Sequence, residues 1–135
     1  MQEGQNRGLA REWRLRSGDH AAAYRARREF AQELLGLPCQ SADYASAELI
    51  FGELVHNAVR HEATEVQVAL EVDEAVRLRV TDDGPGFWVS EPRPTPPNAE
   101  TGRGLGIVRA VARDLNVEHF DGTCVVTAVL PLAPA

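Results

Sequence analysis

The chain has 135 residues, a length suited to one compact domain, and its 44% hydrophobic and 25% charged content is enough to fill an apolar core. A formal net charge of -6 argues against broad nucleic-acid binding, which needs a basic surface, and with every basic residue an arginine there is no P-loop lysine. No apolar run approaches the ~20 residues that cross a bilayer, and the opening MQEGQNRGLAREW carries no signal-peptide stretch, so a cytoplasmic protein is the simplest expectation.

Residues 1–10 read as a candidate disordered lead. In REWRLR (11–16), Trp13 and Leu15 alternate with Arg14 and Arg16, which predicts a half-buried edge strand. Asp19 is a candidate N-cap for a helix over 20–35 carrying Ala23, Phe30 and Leu34, which Gly36 and Pro38 end. A second helix is expected from about 41–43 to Glu62. TEVQVALEV (64–72) places Val66, Val68, Leu70 and Val72 on one face of a strand. DEA (73–75) is a hairpin-length connection, and VRLRVTD (76–82) is the returning strand.

SEPRPTPPNAET holds four prolines and predicts no regular element. After GRGLG, the residues Leu105, Val108, Val111, Ala112 and Leu115 form a helical stripe. VEHF and TCVVTAVLPL (123–132) read as two strands joined at Asp121–Gly122. Cys39 and Cys124 share no metal-ligand spacing and read as buried free thiols. The order predicts one domain, an α/β two-layer sandwich in which a mixed, largely antiparallel sheet has helices packed on one face.

Three stretches break the apolar pattern. On the helical wheel of 44–62, Tyr44, Ala47, Ile50, Phe51, Leu54, Val55, Ala58 and Val59 form one broad arc. Glu53, Asn57 and His61, at steps of four that drift only ~40° each, line its margin. That stripe is either a solvated edge with an ordinary i,i+4 pair, or the wall of a cleft where a carboxylate orients a nucleophile and an amide oxygen ligates a hard cation. Asp82 follows Val76, Leu78 and Val80 by period two and so points inward. A buried carboxylate needs donors, either the amides of the GPG turn or the amino group of a ligand. Gly84 and Gly86 would let a planar ring approach the backbone. TGRGLG (101–106) opens a helix, where N–H groups and Arg103 could hold an anion or simply feed the helix through a flexible loop.

Taken together, these stretches resemble the GHKL ATPase superfamily, whose members share the Bergerat fold. ELVHNAVRH is similar to its N box, DDGPG to the first glycine box, GRGLG to the second, and Gly122–Thr123 to the closing Gly-Thr element. Within the superfamily the chain most resembles the RsbW-type anti-sigma-factor serine/threonine kinases. The resemblance implies ATP and Mg²⁺ as cofactors, with Asn57 ligating the metal and Glu53 as the general base. It implies His61 near the phosphates and Asp82 accepting the adenine amino group with support from Thr123. Gly84 and Gly86 would admit the base, and Gly102, Arg103, Gly104, Leu105 and Gly106 would hold the triphosphate under a lid at about 87–101. The implied partners are a STAS-type anti-sigma antagonist, which would be phosphorylated, and a sigma factor, which would be sequestered. A homodimer is also implied, with Trp13 either a contact or part of its own core; neither nucleic acid nor membrane is expected. The alternative is a nucleotide-binding regulatory module that acts by protein contact without phosphotransfer.

Overall fold

The computed structural model describes residues 8–60, 65–83, 100–120 and 122–135. In chain order they form β1 (Leu9–Arg16), α1 (His20–Leu35), β2 (Cys39–Ala42), α2 (Tyr44–Arg60), β3 (Glu65–Val72), β4 (Val76–Asp82), α3 (Glu100–Val111), β5 (Asp114–Phe120), β6 (Thr123–Val129) and β7 (Leu132–Pro134). Five strands make one sheet in the order β1-β3-β4-β6-β5, and every pairing in it is antiparallel. The helices lie on one face, with α1 and α3 both packed on α2. This is the two-layer sandwich that the order of elements predicts.

Local chemistry sets the helix ends. The Asp19 carboxylate accepts from the Ala22 N–H at 3.0 Å and caps α1, and at its far end the Gly36 N–H donates to the Glu33 carbonyl and the Leu37 N–H to the Leu34 carbonyl, each at 3.1 Å. Asp43 caps α2 by accepting from the Ser46 N–H at 3.1 Å and hydroxyl at 2.7 Å, and these bonds hold its carboxyl below the usual carboxylate range. At the other end of α2, the Val59 carbonyl accepts from the Gly18 N–H at 2.9 Å and the Ser17 hydroxyl at 3.1 Å. A carbonyl in a last turn has no partner within its own helix, so the β1–α1 turn supplies one. Gly18 sits at φ +85° there, a conformation open to a residue without Cβ.

The core joins these layers through aromatic rings. Phe30 of α1 stacks on Phe51 of α2 at 4.4 Å, and Trp13 of β1 meets Phe51 edge-on at 5.6 Å. Trp13 is only 7% exposed, and its indole N–H donates to Glu29 at 2.9 Å, so it belongs to its own core and is not a surface contact. Arg11, in β1, bonds the same Glu29 and also Glu33 across the α1 seam.

The structure corrects four boundaries. Leu9 and Ala10, assigned to the lead, already belong to β1. Residues 41–42 do not begin the second helix; they lie in β2, which pairs antiparallel with β7 in a separate two-stranded sheet. Its four residues, CQSA, carry no alternation, and their partner comes from the other end of the chain. Helix α3 begins at Glu100, so it takes the GRGLG glycines into its first turns. It ends at Val111, and Arg113 N–H then joins the Val129 carbonyl at 2.8 Å. Leu115 therefore lies in β5 opposite Ala128 rather than on a helical stripe, because strand pairing overrides the helical period there.

Because Phe51 is fully buried against both Phe30 and Trp13, its truncation to alanine is expected to cost about 3–5 kcal/mol. Urea unfolding followed by circular dichroism measures that loss.

Candidate active site

Among the described residues, two polar side chains are buried in the core, Asn57 at 2% exposed and Asp82 at 0%. Each is put there by the period of its element. Asp82 closes the alternation of β4, in which Val76, Leu78 and Val80 are buried and the residues between them are half-buried. Asn57 belongs to the margin of the α2 arc. With α3 packed on α2 as well as α1, that margin becomes interior.

The sheet register shows what surrounds Asp82. Residues paired across neighbouring strands share a face, so one row runs Leu15, Val66, Asp82, Cys124, His119. The next row on the same face is Trp13, Val68, Val80, Val126, Val117, which is apolar throughout. Of these two rows, only the one at the Asp82 end carries polar groups, over β4, β6 and β5. Burial, reinforced by the Asp82 carboxylate, pushes the Cys124 thiol from its ordinary 9.0 up to about 11. That thiol is buried, as expected, whereas Cys39 is only half-buried.

The Asn57 Nδ2 is buried and finds no acceptor among the described residues. A buried amide nitrogen without a partner costs about 1–3 kcal/mol, and an external acceptor would remove that cost. Glu53, one turn earlier and half-buried, lines a cleft of about 360 Å³ between α1 and α2, together with His20, Tyr24, Arg27 and His56. The Arg27 guanidinium lies so close over Gly52 that a Cβ built there would stand 3.1 Å from it. Cationic charge thus enters the cleft beside Glu53. No group of three or more His, Cys, Asp or Glu side chains could cage a metal among the described residues. A hard cation held by one amide oxygen, with ligand oxygens and water completing its shell, fits such a donor set.

Gly102 and Arg103 lie in the first turn of α3, where the N–H groups lack intrahelical acceptors and the helix dipole is positive; Gly104, Leu105 and Gly106 follow in the next turn. A Cβ at Gly106 would meet nothing within 4 Å among the described residues, so packing does not require glycine there. His61, Gly84, Gly86 and residues 87–99 of the lid expected at about 87–101 lie outside the described residues, and residues 100–101 belong to α3 rather than to the lid. Thr123 opens β6 opposite Phe120, and the alternation of the strand puts it on the face away from Asp82. Cys124 is the β6 residue on the Asp82 side. Reading TCVVTAV by period two from the buried Val126 and Ala128 points to Cys124, and the Gly-Thr resemblance masked that signal.

An antiparallel sheet under three helices, with an amide and a carboxylate buried where helix meets sheet, makes an α/β two-layer sandwich with a polar site at the helix–sheet interface. Residues 17–129 match the family described as histidine kinase-like ATPase domain, and the chain belongs to that family. Membership implies ATP as the nucleotide. Among solved structures, the chain is similar to the crystal structure of the RsbU and RsbW domains of a Mycobacterium tuberculosis protein. That match has a TM-score of 0.61 and 21% identity over 93% of this chain, which spans 34% of the neighbour's length. It is also similar to the catalytic domain of the histidine kinase ThkA in a nucleotide-free form, at a TM-score of 0.52 and 15% identity over 93% of this chain and 100% of the other. No curated protein matches by sequence. The fold is thus the GHKL ATPase fold, RsbW-like in form. Among the described residues no helix is long and apolar enough to cross a membrane.

Two outcomes follow from this geometry. The Cys124 thiol is neutral in the folded protein up to about pH 11 but ionises near 9.0 when unfolded, so its contribution is complete below pH 9 and is lost as pH rises towards 11. In urea titrations, Cys124→Ser, which does not ionise in this range, is expected to lose less stability over that window than the parent. Gly106→Ala is expected to stabilise α3 by up to ~1 kcal/mol, since the added methyl enters open space and alanine is the better helix former. Thermal unfolding of the same variant measures the gain.

Proposed function

We propose that the protein is an ATP-dependent serine/threonine kinase of the anti-sigma-factor type, which phosphorylates a STAS-domain antagonist and sequesters a sigma factor. The observation that carries this reading is the burial of Asn57 and Asp82 as the two polar side chains, among the described residues, of an otherwise apolar core. Such groups persist when a ligand completes them, and they fall in the N box and the first glycine box. The RsbW-like fold supports the kinase class, and the sigma factor and STAS antagonist come from the resemblance of the sequence to the RsbW-type kinases.

In this reading the Asp82 carboxylate accepts the adenine amino group, and Gly84 and Gly86 let the base approach the backbone. The Asn57 amide oxygen would hold Mg²⁺, which would supply positive charge to offset the phosphates, and its buried Nδ2 would be left to donate to a ligand oxygen. Gly102, Arg103 and the first turn of α3 supply N–H groups and positive charge to the triphosphate, with Gly104, Leu105 and Gly106 behind them and His61 near the phosphates. Glu53 takes the proton of the attacking hydroxyl. The γ-phosphoryl group passes to that oxygen, and ADP leaves. Phosphoryl transfer needs chiefly such positioning and charge neutralisation, which a protein of net charge -6 must provide locally. A homodimer is part of this proposal.

The test pairs binding with transfer. Calorimetry with Mg-ATP should show binding to the parent and at least about a tenfold weaker affinity in Asp82→Asn, which removes a charged acceptor. Incubation with radiolabelled ATP and the cognate antagonist should label a serine or threonine. Glu53→Ala should bind ATP normally but transfer about 10²- to 10⁴-fold more slowly. Transfer by Glu53→Ala at the parent's rate would remove the base from Glu53. ATP binding without transfer by the parent would leave a regulatory module that acts by contact.

A further inference from the structure

Gly52 sits in the middle of α2, where glycine is a weaker helix former than alanine and no positive φ calls for it. The Arg27 guanidinium of α1 occupies the room that its missing side chain leaves. Its Nη1 lies 3.1 Å and its Cζ 3.3 Å from where a Cβ would stand. Glycine is therefore what lets an arginine cross onto α2 one residue before Glu53. Arg27 is exposed, as are Arg25 and Arg28, and none of the three forms an ion pair among the described residues. The two acids of α1, Glu29 and Glu33, are turned instead to Arg11 of β1. The exposed surface of α1 is thus a cationic strip on a protein of net charge -6. That strip borders a continuous groove. Tyr24 and Arg27 line both the cavity that holds Glu53 and a second one of about 380 Å³, which Arg28, Gln32 and Glu48 also line. The groove runs from His20 and His56, whose rings stand 6.3 Å apart, past Glu53 to Gln32 and Glu48. Tyr24 is 64% exposed on its wall, an aromatic of the kind that anchors a docking chain.

We propose that this groove receives an acidic segment of the protein that is phosphorylated, and that Arg27, seated on Gly52, binds a carboxylate beside the target hydroxyl. This rests on the kinase reading above and gives its substrate a chemistry: a serine or threonine flanked by aspartate or glutamate. First, a hydroxyl reaches Glu53 through the cleft that Glu53 lines, so the chain carrying it lies in this groove. Second, the guanidinium is held at the level of Glu53 without pairing to it. A planar fork of donors with no acceptor of its own matches an incoming carboxylate bidentately. An extended chain advances about 3.3 Å per residue, so that carboxylate belongs within about two residues of the hydroxyl. Third, Arg25 and Arg28 continue the same sign of charge beside Arg27. An acidic segment, repelled by the protein as a whole, is thereby steered to this strip, as far as Glu48 at the end of the groove.

The experiment uses short fluorescent peptides with a central serine flanked by aspartates, by asparagines or by arginines. Anisotropy measures their binding to the full chain, and radiolabelled ATP measures transfer to the serine. The parent should bind the aspartate peptide about three- to tenfold more tightly than the asparagine peptide, the range of one exposed charge-assisted contact, and the arginine peptide least. Arg27→Gln should abolish that preference, Arg27→Lys should keep part of it, and Arg27→Glu should turn it towards the arginine peptide. Gly52→Ala keeps the charge and is the better helix former, yet it should also reduce the preference, because the guanidinium must leave its seat. A merely structural role for Arg27 would change stability in urea and leave the ratio between peptides intact. The proposal is overturned by equal binding of the aspartate and asparagine peptides to the parent, or by a preference that survives in Arg27→Gln. It is also overturned if Arg27→Gln loses ATP affinity with peptide binding unchanged, which assigns the guanidinium to the nucleotide. Transfer to serine without an acidic preference sinks this proposal and leaves the kinase reading standing. An acidic preference lost in Arg27→Gln, with no transfer by an ATP-bound parent, supports the groove and sinks the kinase reading beneath it.

Discussion

Burying the Asp82 carboxylate is the constraint on which the site depends. An ionised group in a low-dielectric interior costs several kcal/mol unless donors and opposite charge meet it. Here it closes a strand whose other inward residues are Val76, Leu78 and Val80, over a core in which Asn57 is the other buried polar side chain among the described residues. A structural carboxylate could have been placed one residue earlier or later, facing water at no cost. Its inward placement, together with the buried amide of Asn57, concentrates polarity at one end of the helix–sheet interface. The rest of the fold holds that end still.

The holding is done mainly through α2. Its middle is fixed by the Phe30–Phe51 stack and by Trp13, and its last turn is tied to the β1–α1 turn through Val59, Gly18 and Ser17. Asn57 lies two residues before that tie, so its amide cannot drift along the helix axis without breaking two hydrogen bonds. The sheet does the same for Asp82, because β4 is paired on both sides along its length. One polar group rides on a clamped helix and the other on a central strand. Their separation is therefore a property of the core rather than of a loop, and preorganisation of this kind is what electrostatic stabilisation of a reacting phosphate requires.

Legibility in the sequence followed the range of the interaction. Helix α1 was readable to the residue because both its signals, Asp19 and Gly36, are local. The inward turn of Asp82 was readable because period two needs only the strand itself. The β2–β7 pair was not, since it joins opposite ends of the chain and its short segments carry no pattern. The boundary after α3 was ambiguous for a different reason. Leu105, Val108, Ala112 and Leu115 satisfy a helical period, while Leu115, Val117 and His119 satisfy a strand period, and only the ladder with β6 decides between them. At the site, Asn57 proved deeper than its wheel position suggested, because the wheel shows one helix and the burial comes from two neighbours.

The same distinction explains why Thr123 drew attention and Cys124 did not. A motif places residue types in sequence, but function depends on which face they occupy, and in a strand a shift of one residue reverses the face. β6 has Cys124, Val126 and Ala128 towards the helices, and the register of the β4–β6 ladder then leaves no freedom as to which of them meets Asp82. A hydroxyl-bearing residue at the start of the strand satisfies the motif, whereas the thiol beside it satisfies the geometry. Where the two disagree, the ladder has the stronger claim, because slipping it by one residue would turn Cys124, Val126 and Ala128 out of the core together.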